Sequence, residues 1–347
     1  MKKIVIHKAG GYEQLKIEEH PTPYPKAHEV LVRILAVGVN YADVVIRWGL
    51  YSSAKEFVGW PITPGFEFSG VVEAIGREVQ DVAIGQKVMG VSLFGAYATH
   101  ICVSPHQIFP MPTGFSEMEA AGFPAVFLTA YHVLFQNIVI RKNMKILVHA
   151  ASGGVGSALL QLGKIAQCQS VGVVGASHKI QNAYEMGADD VIDKSKQNLW
   201  IEVEKKYPEG FDIVCDANGV STLMESYKHL APTGKLICYG FHSMLPKQRG
   251  QNKGKINFVK LLWNYIRTPR FNPLRMTNDN KSLVTFNLSY LFNRHDLMKE
   301  AMDDLLCWCD ENKIKPLPVK SFPLEDVSSA HRSLESGQTI GKLILVP

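Results

Sequence analysis

The chain has 347 residues, of which 46% are hydrophobic and 20% charged, with a formal net charge of +5. That describes an ordinary globular composition with length enough for two domains, and it excludes a disordered or fibrous chain. No run of eighteen apolar residues occurs, and the opening Met1-Lys2-Lys3-Ile4-Val5-Ile6-His7 breaks at Lys8 and Gly10-Gly11, too early for a signal peptide; a cytoplasmic location is expected. The six cysteines show no C-x-x-C spacing, which argues against a disulfide frame or a zinc knot.

Residues 1 to about 125 read as short strands separated by Gly and Pro: Glu29 to Val37, Phe68 to Ile75, Gln86 to Val91 and Tyr97 to Val103. This pattern predicts a compact, partly closed β-domain. From about Pro124 to Tyr239 the rhythm changes to alternating strand and helix, the mark of a doubly wound parallel sheet. Its first buried strand is Ile146 to Val148; Val171 to Val174, Asp212 to Asp216 and Lys235 to Tyr239 are further candidates. Near the end, Leu297, Ala301, Leu305 and Trp308 mark one face of a helix within Arg294 to Asn312, followed by a helix over Leu324 to Leu334 and a strand at Leu343 to Val346.

The first of these strands runs into Ala150-Ala151-Ser152-Gly153-Gly154-Val155-Gly156, and apolar residues then recur at helical spacing through Ala158, Leu159, Leu162 and Ile165. Ala151-x-Gly153-x-x-Gly156 is the dinucleotide fingerprint with alanine in its first place. Small residues let the backbone turn sharply, approach a pyrophosphate and pack helix against strand. The next strand closes with Gly175-Ala176-Ser177-His178-Lys179, and the first acidic residue beyond it is Glu185, inside the following helix. No carboxylate is therefore expected beside the ribose. Ser177 can donate a hydrogen bond and Lys179 supplies charge, so the site suits the 2′-phosphate of NADPH; the competing reading of Lys179 is a solvated residue at a helix start.

Several motifs, in order, carry a resemblance: Gly38 to Tyr51 (G-V-N-Y-A-D-V-V-I-R-W-G-L-Y), Pro64 to Val72 (P-G-F-E-F-S-G-V-V), Gly95 to Ala98 (G-A-Y-A), Leu128 to Tyr131 (L-T-A-Y), A-A-S-G-G-V-G, and the closing G-K-L-I-L-V-P. Over essentially its full length the chain resembles the zinc-independent quinone oxidoreductases of the medium-chain dehydrogenase/reductase superfamily. From Cys238 to Pro347 it looks most like the branch named for a synaptic vesicle membrane protein.

The resemblance implies an α/β fold with a GroES-like β-rich catalytic domain (1–123 and 293–347), a Rossmann NADPH-binding domain (124–292), a cleft between them, and a homodimer. It implies Asn40 and Tyr51 as catalytic residues lining the substrate side, with Tyr51 donating to a developing oxyanion; read from the residues alone, Asn40 caps a turn and Tyr51 packs at a loop. Thr129 and the backbone at Gly240-Phe241 and Phe286-Asn287-Leu288 match positions that hold the nicotinamide, while Ser152, Gly154 and Val155 complete the phosphate turn. Lys194 stands where the family often has a Tyr near the 2′-phosphate. Lys342 is frequent in the closing motif and is equally readable as a structural residue.

No metal is expected. Alcohol dehydrogenases of the same superfamily hold a catalytic zinc through a Cys and a His at the places of Asn40 and Phe66, and these two do not replace a thiolate and an imidazole. The implied reaction is therefore NADPH-dependent reduction of a quinone, an enone or another electron-poor carbonyl or alkene compound. The competing reading is an NADPH-binding protein of membrane surfaces with little turnover.

An insertion at about 241–278 carries Lys247, Arg249, Lys253, Lys255, Lys260, Arg267, Arg270 and Arg275 and no acidic residue. Without these eight charges the chain would be net negative. Apolar residues are interleaved, and Ile256 to Ile266 is compatible with a short amphipathic helix before Pro269. The stretch is open to three readings: a lid, weak contact with anionic lipid, or a solvated loop packed on the body. Nucleic acid is not expected, since no binding fold for it is recognisable.

Overall fold

The computed structural model describes residues 1–244 and 258–347. In chain order its strands are β1 (Lys2–Val5), β2 (Lys16–Glu19), β3 (Val30–Val39), β4 (Glu67–Ile75), β5 (Lys87–Val91), β6 (His100–Val103), β7 (Ile108–Pro110), β8 (Lys145–His149), β9 (Gln169–Val174), β10 (Asp190–Asp193), β11 (Phe211–Asp216), β12 (Leu230–Cys238), β13 (Ser282–Thr285), β14 (Val319–Pro323) and β15 (Lys342–Val346). They fall into two compact units, each with its own core.

Unit one comprises 1–128 and 289–347. Its sheet runs β14-β15-β3-β4-β5-β7, with β6 also on β3, and β1 and β2 form a separate pair. Apart from the parallel pair β14–β15, the pairings are antiparallel. Alternate residues of these strands, among them Val32, Ile34, Phe68, Val88 and Leu343, converge on one apolar core, as a period of two requires. Two consequences of register matter for the site. Leu343 lies opposite Val39 and Val37 opposite Phe68. The flanking residues Lys342, Asn40 and Glu67 therefore come to one end of the sheet.

Unit two comprises 129–244 and 258–288 among the described residues. All six of its strands are parallel, in the order β10-β9-β8-β11-β12-β13. The order reverses between β8 and β11, the switch point at which doubly wound sheets bind ligands beyond their carboxyl ends. Leu147, Val171, Val173, Ile192, Val214 and Leu236 are buried between the layers, which is why these strands read as continuous apolar runs.

The chain-end helix is observed as His295–Asp310. The helix after it begins with a 3-10 turn, Leu324–Asp326, and continues as Val327–Glu335. Of the insertion, Phe258–Ile266 is helical and a further helix spans Pro273–Asp279; Ile256, Lys247, Arg249, Lys253 and Lys255 lie outside the described residues. Among the described residues no helix is long and apolar enough to cross a membrane.

Candidate active site

The glycine-rich turn follows β8 directly. Ala150 takes a left-handed backbone, φ 52°, and Gly153 sits in an extended conformation at the amino end of the helix Gly154–Ile165. Gly156 is demanded by packing. A Cβ there would stand 2.3 Å from the Ala150 carbonyl oxygen and 2.8 Å from Ala151 Cα. No side-chain cap closes the helix start, so its first-turn N–H groups and the positive end of the helix dipole suit an anion such as a pyrophosphate. Val155 lies in the same first turn, and Ala151 and Ser152 are buried beneath it.

Ser152 ties this turn to the next loop, its hydroxyl donating to the Lys179 carbonyl at 2.8 Å. Lys194, following β10, comes to the same place: its Cε lies 3.8 Å from where a Cβ on Gly175 would stand. Ser177 is also here, and its hydroxyl donates to the Asp193 carboxylate at 2.6 Å. This corrects the expectation that no carboxylate lies beside the loop. Asp193 is 16 residues from Ser177 in sequence, and the parallel pairing of β10 with β9 brings it across. Burial pushes the Asp193 carboxyl up, but hydrogen bonds from Ser177 and Ser195 and the charge of Lys196 outweigh it and hold the group below the usual carboxylate range. The turn and the helix start fit the pyrophosphate of a dinucleotide, Lys194 brings a cation to the loop, and Asp193 holds the loop through Ser177.

Thr129 is half-buried in the helix Pro124–Tyr131. Gly240 and Phe241 follow β12; Phe286 follows β13 and meets His132 edge to face at 4.6 Å, with its N–H donating to the Cys238 carbonyl at 3.4 Å. Leu288 opens the 3-10 turn Leu288–Leu291.

In unit one, Asn40 stands between β3 and the helix Tyr41–Arg47. Its backbone N–H donates to Asp43 Oδ2 at 2.8 Å, as a turn-capping reading requires, and its side chain does something further. Nδ2 donates to Glu67 Oε1 at 2.8 Å, and Oδ1 accepts from Lys342 Nζ at 2.9 Å. Lys342 and Glu67 form a buried ion pair at 2.6 Å. Tyr51 packs edge to face on Phe66, at 5.8 Å, and on Phe94, at 6.3 Å, and its hydroxyl shares a 2.8 Å hydrogen bond with Ser289 Oγ. Ser289 is buried.

Glu67, Asp43 and Ser289 were not singled out from the sequence. A signal existed for the first: Phe66-Glu67-Phe68 puts a carboxylate in an apolar strand, and Lys342 opens the apolar strand that ends the chain. Opposite charges in two buried strands need each other.

A catalytic zinc, implied by the wider superfamily, does not fit here. Asn40 Oδ1 is engaged by a cationic ammonium, Glu67 is paired with the same ammonium, and Phe66 offers a ring in place of an imidazole. Among the described residues no group of three His, Cys, Asp or Glu could hold a metal ion.

Comparison with known proteins agrees with this architecture. Residues 26–113 match the family model of the alcohol dehydrogenase GroES-like domain, and residues 186–345 match that of zinc-binding dehydrogenases. The zebrafish (Danio rerio) synaptic vesicle membrane protein VAT-1 homolog is 35% identical over 343 residues, covering 99% of this chain and 69% of the relative. The crystal structure of the human VAT-1 homolog-like protein is 29% identical with a TM-score of 0.83, covering 100% of this chain and 98% of that one. The Escherichia coli quinone oxidoreductase complexed with NADPH is 26% identical with a TM-score of 0.85 over the whole of both chains. With its GroES-like unit, its Rossmann unit and relatives of this closeness, the chain is an oxidoreductase of the medium-chain dehydrogenase/reductase superfamily and belongs to its zinc-independent quinone oxidoreductase family, alongside the VAT-1 homologues.

Proposed function

We propose that the protein is an NADPH-dependent reductase of quinones or other electron-poor carbonyl or alkene compounds, working without a metal. The observation that carries this reading is the state of Asn40. Where zinc dehydrogenases place a metal ligand, this chain has an amide whose oxygen is engaged by Lys342. That arrangement suits acceptors that need orientation and a hydrogen bond rather than a Lewis acid.

NADPH, when bound, supplies the hydride. The turn at Gly153–Gly156 and the helix start hold its pyrophosphate; Lys179 and Lys194 meet the 2′-phosphate; Thr129 and the backbone at Gly240, Phe241, Phe286 and Leu288 hold the nicotinamide end. Tyr51 donates to the acceptor oxygen as charge develops on it, and Ser289 supplies the hydrogen bond that lets the phenol act as donor. Water returns the proton. The protein is cytoplasmic and dimeric on this reading.

The test is NADPH consumption with a panel of small quinones and enones, beside NADH and after chelator treatment. Turnover with NADPH, weak turnover with NADH and indifference to chelator support the reading; NADPH binding with no acceptor reduced overturns it.

One observation favours a second reading, a membrane-surface role. The helix Phe258–Ile266 leaves Val259 79%, Trp263 58% and Tyr265 71% exposed, and from 258 to 278 there are four basic residues and no acidic one. Such a face suits anionic lipid. Cosedimentation with anionic vesicles that weakens with salt supports it, and no binding at low salt removes it.

A further inference from the structure

Lys342 and Glu67 are 3% and 0% exposed at their side chains, and burying a charge pair costs desolvation that apolar residues of similar volume would avoid. Their hydrogen bonds show what the pair does. Lys342 Nζ has three protons and three acceptors: Val39 O at 3.0 Å, Asn40 Oδ1 at 2.9 Å and Glu67 Oε1 at 2.6 Å. Glu67 accepts from Lys342 and Asn40 on Oε1 and from the Ala125 N–H on Oε2 at 2.8 Å. An ammonium only donates and a carboxylate only accepts. The Asn40 amide is therefore fixed in one of its two flips, since the other would set N–H against ammonium and oxygen against carboxylate. Gly38 keeps the place open: a Cβ on it would meet Glu67 Oε1 at 2.4 Å.

In the fixed flip one Nδ2 proton goes to Glu67, and among the described residues the second has only the Gly38 carbonyl at 3.5 Å, the limit of a hydrogen bond. We propose that the buried Lys342–Glu67 pair is a positioning device that fixes the Asn40 amide so that this second N–H donates to the carbonyl oxygen of the acceptor. Lys342 and Glu67 touch neither substrate nor cofactor; they act through Asn40. The inference rests on the reductase reading above, and it makes Asn40 a specific donor for carbonyl-bearing acceptors.

The double variant Lys342→Met/Glu67→Gln removes both charges, so neither is left buried and unpaired, and the amide that replaces the carboxylate can present either its oxygen or its N–H to Asn40. Kinetics with NADPH are measured for an enone and for a quinone, with NADPH affinity followed by fluorescence. The enone, whose carbonyl needs more polarisation, loses about a hundredfold in kcat with little change in KM, as for loss of one oxyanion donor. The quinone loses clearly less, and NADPH affinity is unchanged. A merely structural role would scale both acceptors alike, and equal loss or no loss overturns the proposal.

Asn40→Asp in an otherwise intact chain keeps an oxygen for Lys342 but removes the amide donors. The same enone-selective loss must appear there, and its absence overturns the proposal whether or not the double variant folds. Wild-type protein that oxidises NADPH with neither acceptor sinks the reductase reading and this inference with it. Wild type active on both, with variants losing both equally, sinks the positioning role alone.

Discussion

Asp43 is fully buried, and the groups around it fix the direction of a chain of hydrogen bonds. Arg47 Nη1 lies 3.2 Å from His331 Nδ1; arginine only donates, so Nδ1 accepts and the ring proton is on Nε2. Nε2 then donates to the Tyr97 oxygen at 3.2 Å, and the Tyr97 proton goes to Asp43. A neutral imidazole agrees with this, because burial and then the charge of Arg47 hold His331 well below its ordinary range. Burial pushes Asp43 up to about 7 against the bonds from Asn40, Gly65 and Tyr97. The sign follows. With the folded value above the unfolded one, the native state binds the extra proton between about pH 4 and 7, so stability falls as pH rises through that window. Relative to Asp43→Asn, the wild type loses about 1.4 kcal/mol for each unit of the shift over this range, which thermal melts of both proteins from pH 4 to 8 will show. At Lys179 the expected change is in specificity. Lys179→Ala weakens NADPH by about tenfold or more, the worth of a hydrogen bond to a charged group, and leaves NADH nearly unchanged in a binding titration. Ser177 and Lys179 stand together in the sequence because both sit in one loop; the contact of Asp193 with Ser177 was not legible, because a neighbouring strand delivers it.

At the scale of elements, the strand β8, the turn after it and the helix Gly154–Ile165 were readable as one unit, since apolar period and small residues are local properties. Gly156→Ala tests the fit. The added methyl cannot be accommodated against the backbone of Ala150 and Ala151, so helix and strand must separate; overpacking of this kind costs about 1–3 kcal/mol. A lower melting temperature together with weakened NADPH binding is expected, and unchanged values for both would show that the turn has slack. The helix Phe258–Ile266 was foreseen from its pattern, and so was His295–Asp310. β13 was not: Ser-Leu-Val-Thr is too short to carry an alternation, and its half-exposed residues take their place from pairing with β12. β14 escaped for a similar reason, being a mostly exposed strand that exists through its parallel pairing with β15.

At the scale of the whole molecule, cofactor binding couples to folding. Because the glycine-rich turn is assembled only in the native state, NADPH at a hundred times its dissociation constant stabilises by about 2.7 kcal/mol. A raised melting temperature with NADPH, a smaller rise with NADH and no change after chelator treatment are the expected calorimetric results. A fall after chelation would count against the metal-free reading. The sequence by itself determined what depends on neighbours in the chain: the alternation that makes a sheet, the apolar runs of a parallel core, and the small residues of the dinucleotide turn. Only the tertiary structure decided how Asn40 is held. Lys342 is 302 residues from Asn40 and 275 from Glu67, and nothing local in either strand says that they meet. Their meeting follows from the registers of β15 on β3 and β3 on β4. A one-residue slip in either would turn the side chains to the opposite face and leave two buried charges without partners.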